Sequence, residues 1–190
     1  LYAVRTTDVE ANRRTTRTYV IPTQGAATPR AFPDDTTIAT EARWSPDGRH
    51  VAYVSGGQLW LADADGGARR RLTTLNGGAS GPVWSPAGNA IVFTSAVWPA
   101  CTGAAMPGGF DDACNARRDS VQAASKVKAY VADRLMYRHW MSVDAGTRQH
   151  LFAVALDARG HATGVRDLVP GATHDVPPGP FGGSEGYAVS

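Results

Sequence analysis

Short runs of apolar, β-branched and aromatic residues recur along the chain, separated by segments rich in Gly, Pro, Asp and Ser. The clearest runs are His50–Ser55 and residues 58–62, and in the second run Leu59 and Leu61 are alternating apolar positions on either side of Trp60. Runs of this length and composition, bounded by turn signals, are typical of β-strands. The pattern therefore predicts many short strands joined by tight turns.

A turn sequence repeats along the chain together with its flanks. Trp-Ser-Pro-Asp-Gly at 44–48 recurs as Trp-Ser-Pro-Ala-Gly at 84–88, an offset of 40 residues. The strand-forming runs at 50–55 and 90–95 repeat at the same offset, and residues 187–190 match the start of a third copy. In such a turn Pro presets φ, Asp can bond its own backbone, and Gly takes a positive φ without strain. Units of about 40 residues built from short strands indicate the blades of a β-propeller.

The sequence thus predicts an all-β fold, a partial β-propeller with four-stranded antiparallel blades. A β-sandwich is the alternative, but it would lack the repeat. The predicted units are a partial blade at 1–40, a complete blade at 41–75, a longer blade at 82–170, and a linker with the start of the next blade at 171–190. No catalytic α/β-hydrolase domain is predicted within these residues.

The longer blade carries an insertion at 96–128 that splits its strands. A short helix is predicted there at 119–128, with Asp119 or Ser120 as its N-cap. The strands predicted for the whole chain lie at 1–6, 17–21, 41–44, 50–55, 58–62, 70–74, 82–84, 90–95, 134–140, 150–156 and 165–169.

Composition and charge exclude only a few classes of protein. Hydrophobic residues make up 43% of the chain, charged residues make up 19%, and the net charge is +2. These values fit a folded protein and give no reason to expect nucleic acid or an anionic membrane as partner. No apolar run approaches the roughly 18 residues of a membrane-spanning helix. The chain begins with Leu and without a signal peptide, which predicts a processed or truncated product.

Cys101 and Cys114 bracket a loop rich in Gly, Pro and Asp. A disulfide closing this loop would stabilise the fold by about 3 kcal/mol, mainly by restricting the unfolded chain. Free thiols and a metal site are the alternatives, although no histidine lies near the cysteines at ligand spacing. The disulfide would place the protein in an oxidising compartment, periplasmic or secreted, whereas free thiols would leave a cytoplasmic location open.

The segment Asp-Arg-Leu-Met-Tyr-Arg-His-Trp at 133–140, followed by His-Leu-Phe at 150–152, resembles a propeller segment of the prolyl oligopeptidase family of serine peptidases. The similar members are bacterial dipeptidyl-peptidases and acylaminoacyl-peptidases, and the resemblance extends over nearly the whole chain. It implies a two-domain parent, in which this propeller restricts access of peptides to a C-terminal hydrolase domain with a Ser-Asp-His triad. The catalytic residues would then lie outside the 190 residues.

Within this resemblance, three residues are candidates for contact with a peptide substrate. Some dipeptidyl-peptidases of the family hold the substrate amine with two adjacent glutamates, a pair that this chain lacks. Asp111 and Asp112 form the only adjacent acidic pair in the insertion, and carboxylates there could pair with an ammonium group. Arg138 could hold a peptide carboxylate. Solvated loop tips and blade packing are the alternative interpretations.

The sequence gives only weak signals for a serine nucleophile or a metal site. Gly-Gly-Ser-Glu-Gly at 182–186 fits the G-x-S-x-G pattern, but prolines precede it where a nucleophile elbow needs a strand, so Ser184 is not predicted to be catalytic. The histidines show no metal-binding spacing, and no metal or cofactor is predicted.

Two further expectations concern partners. A periplasmic binding or scaffolding propeller without enzymatic activity is the alternative to the peptidase, but its repeats would be evenly spaced. An incomplete propeller also exposes unpaired strand edges, so the chain is expected to associate with itself or to be only marginally stable alone.

Overall fold

The computed structural model describes residues 1–25, 27–127, 129, 138–139, 142–143, 146–179 and 182–190. In these residues the chain is mostly β, with three consecutive antiparallel sheets of three or four strands and one short two-stranded ladder. The predicted class, mostly β with four-stranded antiparallel sheets, is therefore confirmed. A closed ring of sheets is not part of the described structure.

Sheet 1 has three strands, which pair in sequence order. They are β1 (Tyr2–Asp8), β2 (Arg13–Val20) and β3 (Arg30–Phe32). The two strands predicted in this region are confirmed but are longer than predicted, because β1 and β2 form one long hairpin. β3 was not predicted, since three residues are too few to show a period, although its Phe32 is almost completely buried.

Sheet 2 has four strands, again in sequence order. They are β4 (Thr40–Trp44), β5 (His50–Ser55), β6 (Gln58–Asp63) and β7 (Arg70–Arg71). The turn between β4 and β5 has the geometry that its sequence predicts. Ser45 Oγ donates to Asp47 Oδ1 at 2.6 Å and accepts from the backbone N–H of His50 at 2.9 Å. Gly48 follows with a φ of 69°.

Sheet 3 is interrupted in sequence, as the repeat predicts. Between its second and third strands lie the insertion, with helix α1 (Asp112–Ala124), and the ladder of β10 (Arg138–His139) with β11 (Ser142–Val143). The strands of sheet 3 are, in hydrogen-bonded order, β8 (Ser80–Trp84), β9 (Ala90–Val97), β12 (Arg148–Leu156) and β13 (Ala162–Asp167). Most of the predicted strand at 134–140 lies outside the described residues.

The edge strands β4 and β8 correspond in detail. Each has an irregularity in its pairing, between Thr40 and Arg43 in β4 and between Ser80 and Val83 in β8. Glu41 and Gly81, also 40 residues apart, lie there with φ of 54° and 64°. Glycine tolerates this conformation, whereas a glutamate rarely adopts it. The repeat therefore extends to a shared backbone distortion.

Two buried clusters hold the sheets together. The larger lies between sheets 2 and 3 and includes Leu59, Leu61, Ile91, Phe93 and Phe152. The smaller lies between sheets 1 and 2 and includes Phe32, Val51 and Tyr53, with the rings of Phe32 and Tyr53 edge to face at 5.8 Å. The predicted packing of the repeat tryptophans between sheets holds for Trp84, which packs on the larger cluster and donates from Nε1 to the Arg43 carbonyl at 3.1 Å. Trp44 is 38% exposed.

Gly77 marks the closest approach between the connection that follows sheet 2 and the end of β9. A Cβ at residue 77 would lie 1.8 Å from the carbonyl oxygen of Ala96, which is fixed backbone. No side chain can be accommodated there unless the two segments separate.

Gly77→Ala is therefore expected to lower the free energy of unfolding by about 2 kcal/mol or more, because the backbone must shift to relieve the overlap. Gly164→Ala is the matched control, since a Cβ at residue 164 meets nothing within 4 Å, and it should change stability by less than about 0.5 kcal/mol. Urea unfolding followed by circular dichroism measures both. Equal stability of the two variants would contradict the prediction.

The predicted position of the helix was wrong. The helix is Asp112–Ala124, and its N-cap is Asp111 rather than Asp119 or Ser120. Asp119 and Ser120 lie inside it, because Asp111 is the acidic residue whose side chain accepts a backbone N–H of the first turn. None of the helices among the described residues is long and apolar enough to cross a membrane.

Candidate functional site

The insertion after β9 contains two of the three candidate residues, Asp111 and Asp112, and a disulfide ties it into a compact unit. Cys101, in a short 3₁₀ turn, is bonded to Cys114, in the first turn of α1, with 5.6 Å between their Cα atoms. This is the pairing that the sequence predicts. Cys101 is completely buried, so the bond holds the start of the helix against the interior.

Asp111 caps the helix. Its carboxylate accepts from the backbone N–H of Cys114 at 3.0 Å, and its own backbone N–H donates to the carbonyl of Cys101 at 2.8 Å. Arg117 lies 3.5 Å from the other carboxylate oxygen. The Asp111 carboxylate thus has structural partners, while its side chain stays 46% exposed.

Asp112 joins the helix to the connection between sheets 2 and 3. Both of its carboxylate oxygens lie 3.1 Å from the backbone nitrogen of Asn76, which donates to them. The Asn76 side chain in turn donates to Asp119, which lies about two helical turns further along α1. The two adjacent carboxylates therefore have different structural roles: Asp111 caps the helix, and Asp112 bonds the backbone of Asn76. Their binding of a substrate amine stays a prediction.

Trp98, the residue directly after β9, contacts α1 at several points. Its Nε1 donates to Asp119 at 2.6 Å, its backbone N–H donates to Asn115 at 2.9 Å, and the guanidinium of Arg118 lies 5.7 Å from its ring centroid. A shallow groove of about 530 Å³ runs between Trp98 and the helix and is also lined by Val121. Arg138, the third candidate residue, is the first residue of β10. Its contact with a peptide carboxylate stays a prediction.

A buried polar network that the sequence did not reveal lies beneath the insertion. His150, on β12, has both ring nitrogens occupied: Nδ1 lies 2.7 Å from Asp167 Oδ2, and Nε2 lies 3.1 Å from the carbonyl oxygen of Ala172. The side chains of His150 and Asp167 are completely buried. Thr102, in the insertion, donates to the same Asp167 oxygen at 2.7 Å, and the Val169 N–H donates to the other at 2.9 Å.

The charge of this network follows from its hydrogen bonds. Burial opposes ionisation of Asp167, but the hydrogen bonds from His150, Thr102 and Val169 outweigh burial, and the pKa of Asp167 is lowered. A carboxylate and a carbonyl oxygen can only accept hydrogen bonds, so each ring nitrogen of His150 lies against an acceptor. The network therefore joins β12, β13 and the insertion through a buried carboxylate and its hydrogen-bond partners.

This arrangement is structural rather than catalytic in form. A general base must contact its nucleophile, whereas the Thr102 hydroxyl bonds Asp167 and not His150. The signal that could have identified His150 is its place in β12, where it shares the buried face with Phe152 and Val154. A titratable residue on that face must find a buried partner.

Two other sequence patterns have a clear place. Ser184 begins a 3₁₀ turn, Ser184–Gly186, rather than the strand-to-helix turn of a nucleophile elbow. Among the described residues, no three His, Cys, Asp or Glu side chains lie close enough together to hold a metal ion.

The sequence of the chain is similar to those of bacterial peptidases. It is 26% identical to dipeptidyl-peptidase 5 of Porphyromonas endodontalis over 194 aligned residues, which cover 100% of this chain and 26% of that protein. It is also 43% identical over 61 residues to the uncharacterized peptidase YuxL of Bacillus subtilis, covering 30% of this chain and 9% of YuxL. No protein-family profile matches the chain.

Solved structures of acylaminoacyl peptidases share the fold. The Pyrococcus horikoshii enzyme matches 87% of this chain with 22% of its own, at a TM-score of 0.54 and 12% identity. An acylaminoacyl peptidase in complex with Z-Gly-Gly-Phe-chloromethyl ketone matches with a TM-score of 0.55, also at 12% identity, over 87% of this chain and 23% of its own. The chain thus spans about a quarter or less of each relative, and its similarity is consistent with a portion of a prolyl oligopeptidase-family peptidase.

Proposed function

We propose that this chain is the non-catalytic β-propeller portion of a serine peptidase of the dipeptidyl- or acylaminoacyl-peptidase type. Its role is to restrict and position peptides for a hydrolase domain that lies outside these 190 residues. The observation that carries the proposal is the alignment of the entire chain with about a quarter of a dipeptidyl-peptidase.

The order of the edge-strand contacts supports the propeller. The Gly81 N–H of β8 donates to Glu41 of β4, so neighbouring sheets meet along these edges. Tyr187, which aligns with Ala42 in the repeat, donates its hydroxyl to the Gly81 carbonyl. Burial of this hydroxyl, and next the negative charge of Glu41, raise its pKa to about 12. These contacts support the proposal that a further blade begins after Gly186 and follows β8.

The partners and the location follow from the same proposal. The peptide substrate and the hydrolase domain of the parent are the partners, with Asp111, Asp112 and Arg138 as the candidate contacts of the peptide. The Cys101–Cys114 bond supports a periplasmic or secreted location, because disulfides persist in oxidising compartments.

Enzymatic assays of the 190-residue chain test the division of labour. The chain is expected neither to hydrolyse dipeptidyl and acylaminoacyl p-nitroanilides nor to react with a fluorophosphonate probe for active serines. Ser184→Ala is the control: hydrolysis by the chain that Ser184→Ala abolishes would overturn the proposal. The reading frame beyond codon 190 gives the complementary test. A hydrolase domain encoded there supports the peptidase, whereas further propeller repeats followed by a stop would favour the binding propeller.

A further inference from the structure

The hairpin of β1 and β2 extends beyond the other strands of sheet 1. β3 pairs with β2 as β7 pairs with β6, since Tyr19 lies opposite Ala31 and Trp60 lies opposite Arg71. Tyr2 pairs with Tyr19 as Tyr53 pairs with Trp60, so Tyr2 corresponds to Tyr53 and Val4 to Ser55. Sheet 2 turns directly after Ser55, at Gly56 and Gly57.

The hairpin of sheet 1, in contrast, continues for four more residue pairs, from Arg5 opposite Thr16 to Asp8 opposite Arg13. At about 3.3 Å per residue, this arm reaches about 13 Å past the point where sheet 2 turns. Every residue of β1 is exposed. A two-stranded ribbon without a third strand is only marginally stable in water. The arm therefore has the form of an element that gains its stability from a partner.

Among the described residues, the edge of the arm along residues 4–8 has no strand beside it, and a strand added to that side of sheet 1 in the way that β4 adds to β5 would not cover it. In sheet 2 the neighbouring strand β4 pairs with β5 no further than Val54, opposite Thr40. Val54 corresponds to Ala3. A strand in the equivalent position of sheet 1 would therefore end at Ala3 and leave residues 4–8 uncovered.

The two long edges of the arm differ in charge. β3 pairs only with residues 18–20 of β2, so the outer edge at 13–17 has no strand beside it among the described residues. That edge carries Arg13, Arg14 and Arg17, and charged side chains of one sign are a common protection against pairing of edges. The edge at 4–8 carries one arginine and one aspartate and has no such protection.

We propose that residues 4–8 of two copies of this chain pair antiparallel about a twofold axis at Thr6, which joins the two arms into one four-stranded sheet. Twofold symmetry requires facing residues to lie on the same face of the sheet, which leaves axes at Arg5, Thr6 or Thr7. An axis at Arg5 would oppose two guanidinium groups. An axis at Thr7 would run past the end of β1.

The axis at Thr6 uses the whole edge and opposes no like charges directly. Thr6 faces Thr6 of the second copy, Arg5 faces Thr7, and Val4 faces Asp8. Threonine pairs across strands are favourable. Val4 pairs with Arg17 within its own hairpin, so Asp8 of one copy lies two strands, or about 10 Å, from Arg17 of the other, a distance that the two side chains can bridge. This complementarity favours a second copy over an unrelated extended peptide, and the pairing does not depend on the peptidase proposal.

Engineered cysteines test the register directly. The two native cysteines are bonded to each other, so Thr6→Cys adds a single thiol. Directly opposed residues have Cα atoms about 4.5–5.5 Å apart, within the range that a disulfide spans. Under mild oxidation, Thr6→Cys is expected to convert most of the chain into a covalent dimer on a non-reducing gel.

Two matched variants serve as controls. Thr15→Cys lies opposite Thr6 on β2, which places the two thiol-bearing residues about 15 Å apart across the axis, so it should stay monomeric on the gel. Thr7→Cys should not pair with itself but should cross-link when mixed with Arg5→Cys. Sedimentation of the unmodified chain should show a dimer.

Failure of Thr6→Cys to cross-link, or equal cross-linking of Thr15→Cys, would overturn the proposal. Capture of thiol-bearing extended peptides by a Thr6→Cys chain that does not cross-link with itself would make a peptide the occupant and would equally overturn it.

Discussion

Asp167→Ala is expected to lower the free energy of unfolding by about 3–5 kcal/mol, because it removes a completely buried carboxylate that is hydrogen-bonded to His150, Thr102 and Val169. The backbone N–H of Val169 would lose its acceptor at the same time, and the Thr102 hydroxyl would keep only the carbonyl of Gly109 as acceptor. Urea unfolding at pH 7 measures the change.

Asp157→Ala is the matched control for this variant. Asp157 also pairs with a histidine, His161, at 3.2 Å, but the two side chains are 40% and 58% exposed. An exposed pair contributes about 1 kcal/mol at most, so this variant should be nearly as stable as the unmodified chain. A loss at Asp167 no larger than the loss at Asp157 would show that the buried pair does not stabilise the fold.

The acid dependence of stability gives a second readout of the Asp167 prediction. The pKa of Asp167 is lowered in the folded chain, so its contribution is fully present above the unfolded value of about 3.9 and is lost as the pH falls through the lower folded value. The stability difference between the unmodified chain and Asp167→Asn should therefore shrink as the pH falls below about 4. A difference that does not shrink below pH 4 would contradict this assignment.

The repeat explains why much of sheets 2 and 3 could be predicted from the sequence. The Ser-Pro turns place β5 and β9 because Pro and Gly restrict both turns locally, and the strands that follow are rich in β-branched and aromatic residues. β5 begins and ends where predicted, and β9 extends two residues further than the predicted 90–95. Information of this kind is local, so it was sufficient.

The features that were missed depend on contacts between distant parts of the chain. His150 and Asp167 are brought together by the pairing of β12 with β13, and Thr102 reaches them from the insertion 65 residues earlier. The helix was misplaced for a related reason. Several acidic residues could serve as its N-cap. Asp111 is the one whose backbone N–H is also hydrogen-bonded to the distant Cys101, a contact that the local sequence does not reveal.

Removal of the disulfide, in the double variant Cys101→Ala and Cys114→Ala, is expected to lower the free energy of unfolding by about 3 kcal/mol. The bond closes a loop with a sequence separation of 13, and a loop of about this length accounts for a loss of that size through the greater freedom of the unfolded chain. Alanine at residue 101 keeps the buried position apolar, so the variant adds no unsatisfied polar group. Thermal and urea unfolding under non-reducing conditions measure the loss.

A reducing agent separates the effect of the covalent bond from that of the side chains. Reduction should lower the stability of the unmodified chain to about that of the double variant and should leave the variant unchanged. The insertion should keep part of its order after reduction, because Asp111, Asp112 and Trp98 still hold α1 through hydrogen bonds to the sheets and to the helix itself. Helical circular dichroism is therefore expected to persist in the double variant below its unfolding transition. A double variant as stable as the oxidised chain would show that the hydrogen bonds alone fix the insertion.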